Sequence, residues 1–203
     1  YHVPRICFVN KLDRMGASFE HSFKTIIERL TKSAVRMQLP IGEEEHFEAI
    51  IDLLTMKAYY FEGTMGNTIR TEEIPEARRA EAEKFRGELV EKIVEHDDAL
   101  MNEYLEGKEI PIASLKAVLR KAVLANKVVP VFLGSALKNK GVQLVLDAVV
   151  DYLPSPVDVP AIKGVNPETS AEEERHSSDD EPFAALGFKL QTDPYVGQLK
   201  YFR

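Results

Sequence analysis

Val128-Val129-Pro130-Val131-Phe132-Leu133-Gly134-Ser135-Ala136-Leu137-Lys138 is an apolar run that ends in a loop of small residues. Six consecutive residues without polar alternation suit a strand covered on both faces. A helical pattern follows, with Val142, Leu144, Val145, Leu146, Val149 and Val150 apolar. An earlier stretch has the same plan. Ile6-Cys7-Phe8-Val9, at the end of an expected strand from Val3 to Val9, leads into Asn10-Lys11-Leu12-Asp13. Phe19, Phe23, Ile26, Ile27 and Leu30 then recur at helical spacing, and Ser18 is the expected N-cap. Two strand–loop–helix units predict an α/β fold with a doubly wound sheet. In such sheets ligands bind where strands end, so both loops lie on the functional edge.

Between the two units the pattern changes. Val35 to Leu39 is extended and expected to end at Pro40. Phe47 to Leu54 and Met56 to Phe61 read as strands, with Gly63, Gly66 and Asn67 marking turns. Three helices follow. Pro75 is expected in the first turn of one that buries Phe85, Leu89 and Ile93. The next uses Leu100, Met101, Tyr104 and Leu105 and stops near Gly107. The third, after Pro111, uses Leu115, Val118, Leu119, Ala122 and Val123. The expected organisation is therefore a sheet domain from 1–33 and 127–153, with 34–126 an inserted α+β subdomain. Leu153 to Pro160 reads as a proline-stiffened linker and Asn166 to Glu181 as an acidic loop, so 154–182 is linker and loop. Alternation resumes at Phe183. A turn over Thr192 to Gly197 and a strand from Gln198 make 183–203 the opening of a β-barrel domain.

Composition sets the outer limits. The 203 residues are 44% hydrophobic and 29% charged, ordinary for a globular protein with room for more than one domain. No apolar run approaches the roughly 20 residues that span a bilayer, so no membrane partner is expected. Cys7, the single cysteine, reads as a small buried hydrophobe and offers no disulfide framework, which fits a cytoplasmic setting. A net charge of −7 argues against a surface built wholly for nucleic acid. Tyr1-His2-Val3-Pro4 has no initiator Met and no signal pattern, and Gly197 to Arg203 stops in mid-strand. The chain is therefore expected to be an internal piece of a longer polypeptide.

The two loops carry a recognition chemistry. Guanine presents two donors on one edge, N1–H and the exocyclic amine. A carboxylate accepts both, and Asp13 is placed for that at a strand end. Adenine has an acceptor at N1 and would leave the carboxylate unpaired. Asn10 can bond the base or tie the loops together. The aliphatic stem of Lys11 can cover one ring face with its ammonium in water. Ser135 and Ala136 are small enough for backbone N–H groups to approach the guanine carbonyl. The Ser135 hydroxyl can orient Asp13, and Leu137 can cover the other ring face. Asn10-Lys11-Leu12-Asp13 alone also fits an ordinary turn; a matching loop at a second strand end makes the pair specific.

The phosphate side is absent. The sequence contains no Gly-x-x-x-x-Gly-Lys-Ser/Thr, and Gly107-Lys108-Glu109 lacks the required hydroxyl. No Asp-x-x-Gly loop for Mg²⁺ appears in a fitting context. No catalytic residue and no metal ligand is therefore assigned, and the chain by itself is expected to be inactive in GTP hydrolysis. His46 beside Glu43, Glu44 and Glu45 reads as a run of loop residues rather than a metal site. His176, near Asp179 and Asp180, has no nucleophile in view, and His2, His21 and His96 form no ligand spacing.

Phe8-Val9-Asn10-Lys11-Leu12-Asp13-Arg14-Met15-Gly16-Ala17 resembles the translational GTPases, the elongation factor G family most closely. Gly134 to Gln143 is similar to that family's second base-recognition loop, Leu153 to Ile162 to its linker, and Glu174 to Phe183 to the start of its second domain. Leu137 stands where many members carry Phe. The resemblance implies binding of GTP and GDP through Asn10, Lys11, Leu12, Asp13, Ser135, Ala136 and Leu137. It implies that the intact protein hydrolyses GTP, with Mg²⁺, to drive tRNA and mRNA through the ribosome. It further implies that 34–126 is a G′ subdomain touching the ribosomal stalk protein, with the acidic helix residues Glu76, Glu81, Glu88, Glu91 and Glu95 as a candidate face. Contact with rRNA would fall mainly to domains outside this chain. Two alternatives remain: a paralogous GTPase of ribosome recycling or ribosome protection, and a ribosome-interaction module that hydrolyses nothing.

Overall fold

The structure, a computed structural model, describes residues 3–63 and 66–202. The readings placed on Tyr1, His2 and Arg203 lie outside the described residues. The chain divides into two units, 1–153 and 154–203.

The first unit begins with β1 (Cys7–Val9), α1 (Phe19–Arg29), β2 (Ala34–Arg36) and β3 (Gln38–Ile41). It continues with β4 (Ala49–Asp52), β5 (Lys57–Glu62), β6 (Thr68–Glu73), α2 (Glu76–Val94), α3 (Asp98–Leu105) and α4 (Ile112–Leu124). It closes with β7 (Val129–Leu133) and α5 (Val142–Tyr152). Strands β1, β7 and β2 form a parallel sheet in that order, and every residue of β7 is buried. Cys7 lies opposite Val131 and Val9 opposite Leu133, while Ala34 lies opposite Val129.

Pro130 is tolerated in this central strand for a reason that also shortens β1. The Val129 N–H bonds Ser33 O at 2.9 Å, and the Gly134 N–H bonds Val9 O at 3.0 Å. Odd positions of β7 thus face β2 and even ones face β1. Pro130 has no N–H to offer level with the residues before Cys7, so the ladder starts at Cys7 and not at Val3. Cys7 is half-buried rather than enclosed, and burial raises its thiol pKa. Helix α1 starts as expected, with the Ser18 hydroxyl accepting the His21 N–H at 3.3 Å. It packs Phe19, Phe23, Ile26 and Ile27 around a core that includes Val131 and Leu133.

The run Val35 to Leu39 is split. Ala34–Arg36 joins the parallel sheet, and Gln38–Ile41 pairs antiparallel with β4 in a second sheet of order β3-β4-β5-β6. Pro40 does not end the strand. It lies within β3 opposite Ile50, on an edge strand, the place in a sheet where proline is tolerated. Strand β6 has every residue exposed and was not expected from the sequence. Pro75 sits just before α2 rather than in its first turn, and Phe85 is half-buried. Helices α2 and α4 bury Leu89, Ile93, Leu115, Leu119 and Val123 in one core with Leu39 and Ile51 of the second sheet and Leu53 just after β4. Each such side chain contributes roughly 1.5–3 kcal/mol, against about 0–1 kcal/mol for an exposed ion pair such as Lys92–Glu95. Apolar burial, not surface charge, holds these helices.

The second unit opens with a short 3₁₀ turn at Pro156–Asp158, where the Ser155 N–H bonds the Asp158 carboxylate at 2.7 Å. Two hairpins follow. The first pairs β8 (Ile162–Val165) with β9 (Glu172–Arg175), and the second pairs β10 (Gly187–Asp193) with β11 (Gly197–Phe202). The stretch expected to be loop therefore contains a strand. Its turn is closed by Asn166, whose Oδ1 accepts the N–H groups of Glu168 and Thr169 at 2.9 and 3.2 Å.

Candidate functional site

The parallel pairing of β1 and β7 brings the loops 10–17 and 134–141 out side by side. Hydrogen bonds then lock one to the other. The Leu12 N–H bonds Gly134 O at 3.2 Å. Asn10 Oδ1 accepts the Ala136 N–H at 2.9 Å and the Lys11 N–H at 2.8 Å. Lys11 adopts a left-handed φ of 66°, uncommon for a residue with a Cβ, and the bond from its N–H to Asn10 helps to hold it there. Its side chain is exposed, while Leu12 points inward and is 5% exposed among Phe19, Val131 and Leu133. Of the two expected uses of Asn10, its oxygen serves the loop tie.

The Asp13 side chain is only 6% exposed. The Ser135 hydroxyl, donating to it, is the main reason its pKa lies below the usual carboxylate value; partial burial opposes this, and the Lys138 and Arg14 cations assist. The Lys138 ammonium is 3.9 Å from Asp13 Oδ2. Ser135 is fully buried, and its Oγ accepts the Lys138 N–H at 3.3 Å, which leaves its own proton for Asp13.

The rest of the second loop is a closed turn. Ser135 and Lys140 exchange N–H···O bonds of 2.9 and 3.0 Å. The N–H groups of Ser135 and Ala136 are thus engaged with Lys140 O and Asn10 Oδ1. The Leu137 N–H has no partner among the described residues, and the Leu137 side chain is 68% exposed. Gly141 starts α5 at a φ of 84°, and a Cβ there would come within 2.6 Å of both Leu133 O and Ile50 Cδ1. No other residue fits that return into the helix.

The arrangement offers an ionised acceptor, an unengaged amide donor and two exposed aliphatic stems. That is recognition chemistry. Among the described residues no group of three metal-ligating side chains occurs, and no helix is long and apolar enough to cross a membrane. Two hollows, of about 490 and 270 Å³, lie elsewhere in the first unit, and neither is lined by these loops. Glu76, Glu81, Glu88, Glu91 and Glu95 are exposed, with Glu76, Glu81 and Glu95 paired to Arg79, Arg78 and Lys92.

Two residues near the loops take part without having been expected to. Glu44 Oε1 accepts the Gly16 N–H at 2.9 Å, and Lys140 Nζ donates to Phe47 O at 2.5 Å. Lys140 stands inside the second loop's own sequence; Glu44 reads, in the sequence, only as one of a run of acids.

Residues 1–155 match the family described as Elongation factor Tu GTP binding domain. The chain is also similar to the crystal structure of ttk003000868 from Thermus thermophilus, at 29% identity and a TM-score of 0.76. That similarity covers 98% of this chain and 27% of the other, so this chain spans little more than a quarter of that protein's length. With most of its length inside the family match, and with the sheet and both strand-end loops within it, the chain belongs to the elongation factor Tu GTP binding domain family.

Proposed function

We propose that this chain is the guanine-reading part of a longer translational GTPase of the elongation factor G type. Family membership gives the coarse function, guanine-nucleotide binding in a translation factor. One observation carries the finer reading: a single, nearly buried carboxylate, Asp13, accepts a hydrogen bond from the Ser135 hydroxyl at the adjoining ends of two parallel strands. Asp13 accepts N1–H and the exocyclic amine of guanine. The Leu137 N–H donates to the guanine carbonyl, and the Lys11 stem and the Leu137 side chain cover the two ring faces. Ser135 orients Asp13, Asn10 and Ala136 fix the spacing of the loops, and Leu12 anchors the first loop from inside. Bound GTP or GDP would bring phosphates for which the sequence carries no Gly-x-x-x-x-Gly-Lys-Ser/Thr loop.

Hydrolysis belongs to the longer protein, with its Mg²⁺ and phosphate-binding loops. There GTP turnover would drive tRNA–mRNA translocation on the ribosome in the cytoplasm. In this reading 1–33 and 127–153 belong to the GTPase domain, 34–126 is an inserted subdomain that meets the stalk protein through its acidic helix face, and 183–203 opens a β-barrel domain.

The test is Asp13→Asn in the full-length protein. Asparagine presents one acceptor and one donor, which suits xanthine, whose second carbonyl replaces the amine. Binding preference is expected to pass from guanosine to xanthosine diphosphate. An unchanged preference would refute the role of Asp13. The isolated chain should show no GTP turnover, and measurable turnover would contradict the division of labour.

A further inference from the structure

The segment between β2 and β7 grips both loops. Glu44 Oε1 accepts the Gly16 N–H at 2.9 Å, which holds the end of the first loop. Lys140 Nζ donates to Phe47 O at 2.5 Å and lies 5.7 Å from the centre of the Phe47 ring. Gln143 Nε2 donates to Gly66 O at 3.4 Å. Gly66, at a φ of 62°, lies so close to the second loop that a Cβ would meet Lys138 O at 2.9 Å and Asn139 O at 3.0 Å. The grip is firm at its far end as well. Phe47 is 2% exposed and shares a core with Leu12 and Leu133.

We propose that Glu44 and Lys140 are positioning residues through which the 43–48 turn sets the geometry of the base-reading loops, so that displacing this turn changes the rate of nucleotide release. The inference rests on the guanine reading above. The path is a continuous chain of bonds. Phe47 O holds the Lys140 ammonium, the Lys140 backbone pairs with Ser135, and the Ser135 hydroxyl holds Asp13. The ammonium is partly buried, and burial lowers its pKa, which is the expected mark of a cation drawn out of water to reach a fixed carbonyl. Because coupling of binding equilibria is reciprocal, a partner that moves the 43–48 turn would loosen the nucleotide, and nucleotide would in turn order that turn.

The experiment uses the full-length protein and the release of a fluorescent GDP, with thermal melting as a check on folding. Lys140→Met keeps the stem and removes the donor. It is expected to release GDP about tenfold faster, as loss of one charged hydrogen bond implies. Lys140→Arg keeps the donor and is expected to release GDP close to the native rate. Glu44→Asn tolerates the left-handed φ of 53° at that position but is too short to reach Gly16, and it is also expected to speed release. Native release rates in folded Lys140→Met and Glu44→Asn would overturn the proposal. So would equal acceleration in the Met and Arg variants, since packing rather than the hydrogen bond would then be at work. Should Lys140→Met fail to fold, Glu44→Asn decides by the same criterion. Failure of the guanine reading itself would look different: Asp13→Asn would leave the preference for guanine over xanthine untouched.

Discussion

In the proposed guanine site, the Ser135 hydroxyl would set the pH range over which Asp13 can work. Ser135 is the largest influence lowering the Asp13 pKa, and protonated Asp13 cannot accept both guanine donors. A depressed carboxyl pKa makes its contribution above the ordinary carboxylate value and loses it as pH falls through the depressed one. Ser135→Ala should therefore move the acid limb of GDP binding to higher pH. At neutral pH it should weaken binding by about 1.5 kcal/mol, roughly tenfold, the low end for a hydrogen bond to a charged group. Titration of the full-length variant with GDP across pH measures both effects, and an acid limb that stays in place would remove Ser135 from this role. The placement of Asn10, Asp13 and Ser135 at adjoining strand ends was legible in the sequence because they lie in short motifs that follow apolar runs. Glu44 and Lys140 were not, because their partners lie 28 and 93 residues away and leave no local pattern.

Elements in this chain are tied together by a few polar side chains set in apolar surroundings. Arg36 of β2 is the plainest case. Its guanidinium lies 3.9, 4.7 and 5.5 Å from the rings of Phe85, Phe23 and Phe19, and 2.7 Å from the Glu20 carboxylate. It thus joins α1, β2 and α2. Glu20 is 68% exposed, so the ion pair is screened and the ring contacts dominate. Arg36→Met should cost about 2 kcal/mol, a melting shift of roughly 4–8 °C for a unit of this size, read by calorimetry. Asp52, at the end of β4, behaves differently. Its Oδ1 accepts the N–H groups of Leu54 and Thr55 and the Thr55 hydroxyl at 3.1, 2.8 and 3.0 Å, yet burial still raises its pKa. The folded state then holds its proton more tightly than the unfolded state, so stability falls as pH rises through the raised value. Asparagine keeps the accepting oxygen without the charge. Asp52→Asn should flatten that slope and match or exceed native stability at neutral pH; a lower melting temperature with the slope intact would contradict this. Helices and buried strands were legible from apolar spacing. Strand β6 was not, since Thr68-Ile69-Arg70-Thr71-Glu72-Glu73 has one apolar side chain. Its strand state comes from pairing with β5, supported by the Arg70–Glu62 and Lys57–Glu73 pairs across the two strands.

At the scale of the whole molecule the two units differ in what holds them. The first has two apolar cores that share its sheets and helices. In the second, none of the described residues is buried, and each hairpin has only two strands. The sequence showed the proline-rich boundary near Leu153, because Pro154, Pro156 and Pro160 interrupt both periodicities. It did not show β8 pairing with β9, because Glu172 to Arg175 is wholly charged and its pairing is stabilised from across the hairpin by Lys163 on Glu174. Two-stranded hairpins are marginal in water, and segments without buried apolar contacts open at little cost. Cleavage that requires local opening should therefore begin in the second unit. Limited trypsin treatment is expected to cut first at sites such as Lys163 and Lys189, and to leave a product ending at Lys163. Mass spectrometry of the first products tests this directly. First cuts at Lys108 or within α2 would mean that the helices between β6 and β7 open more readily than the hairpins, and that the Leu89, Ile93 and Leu119 core is weaker than its burial implies.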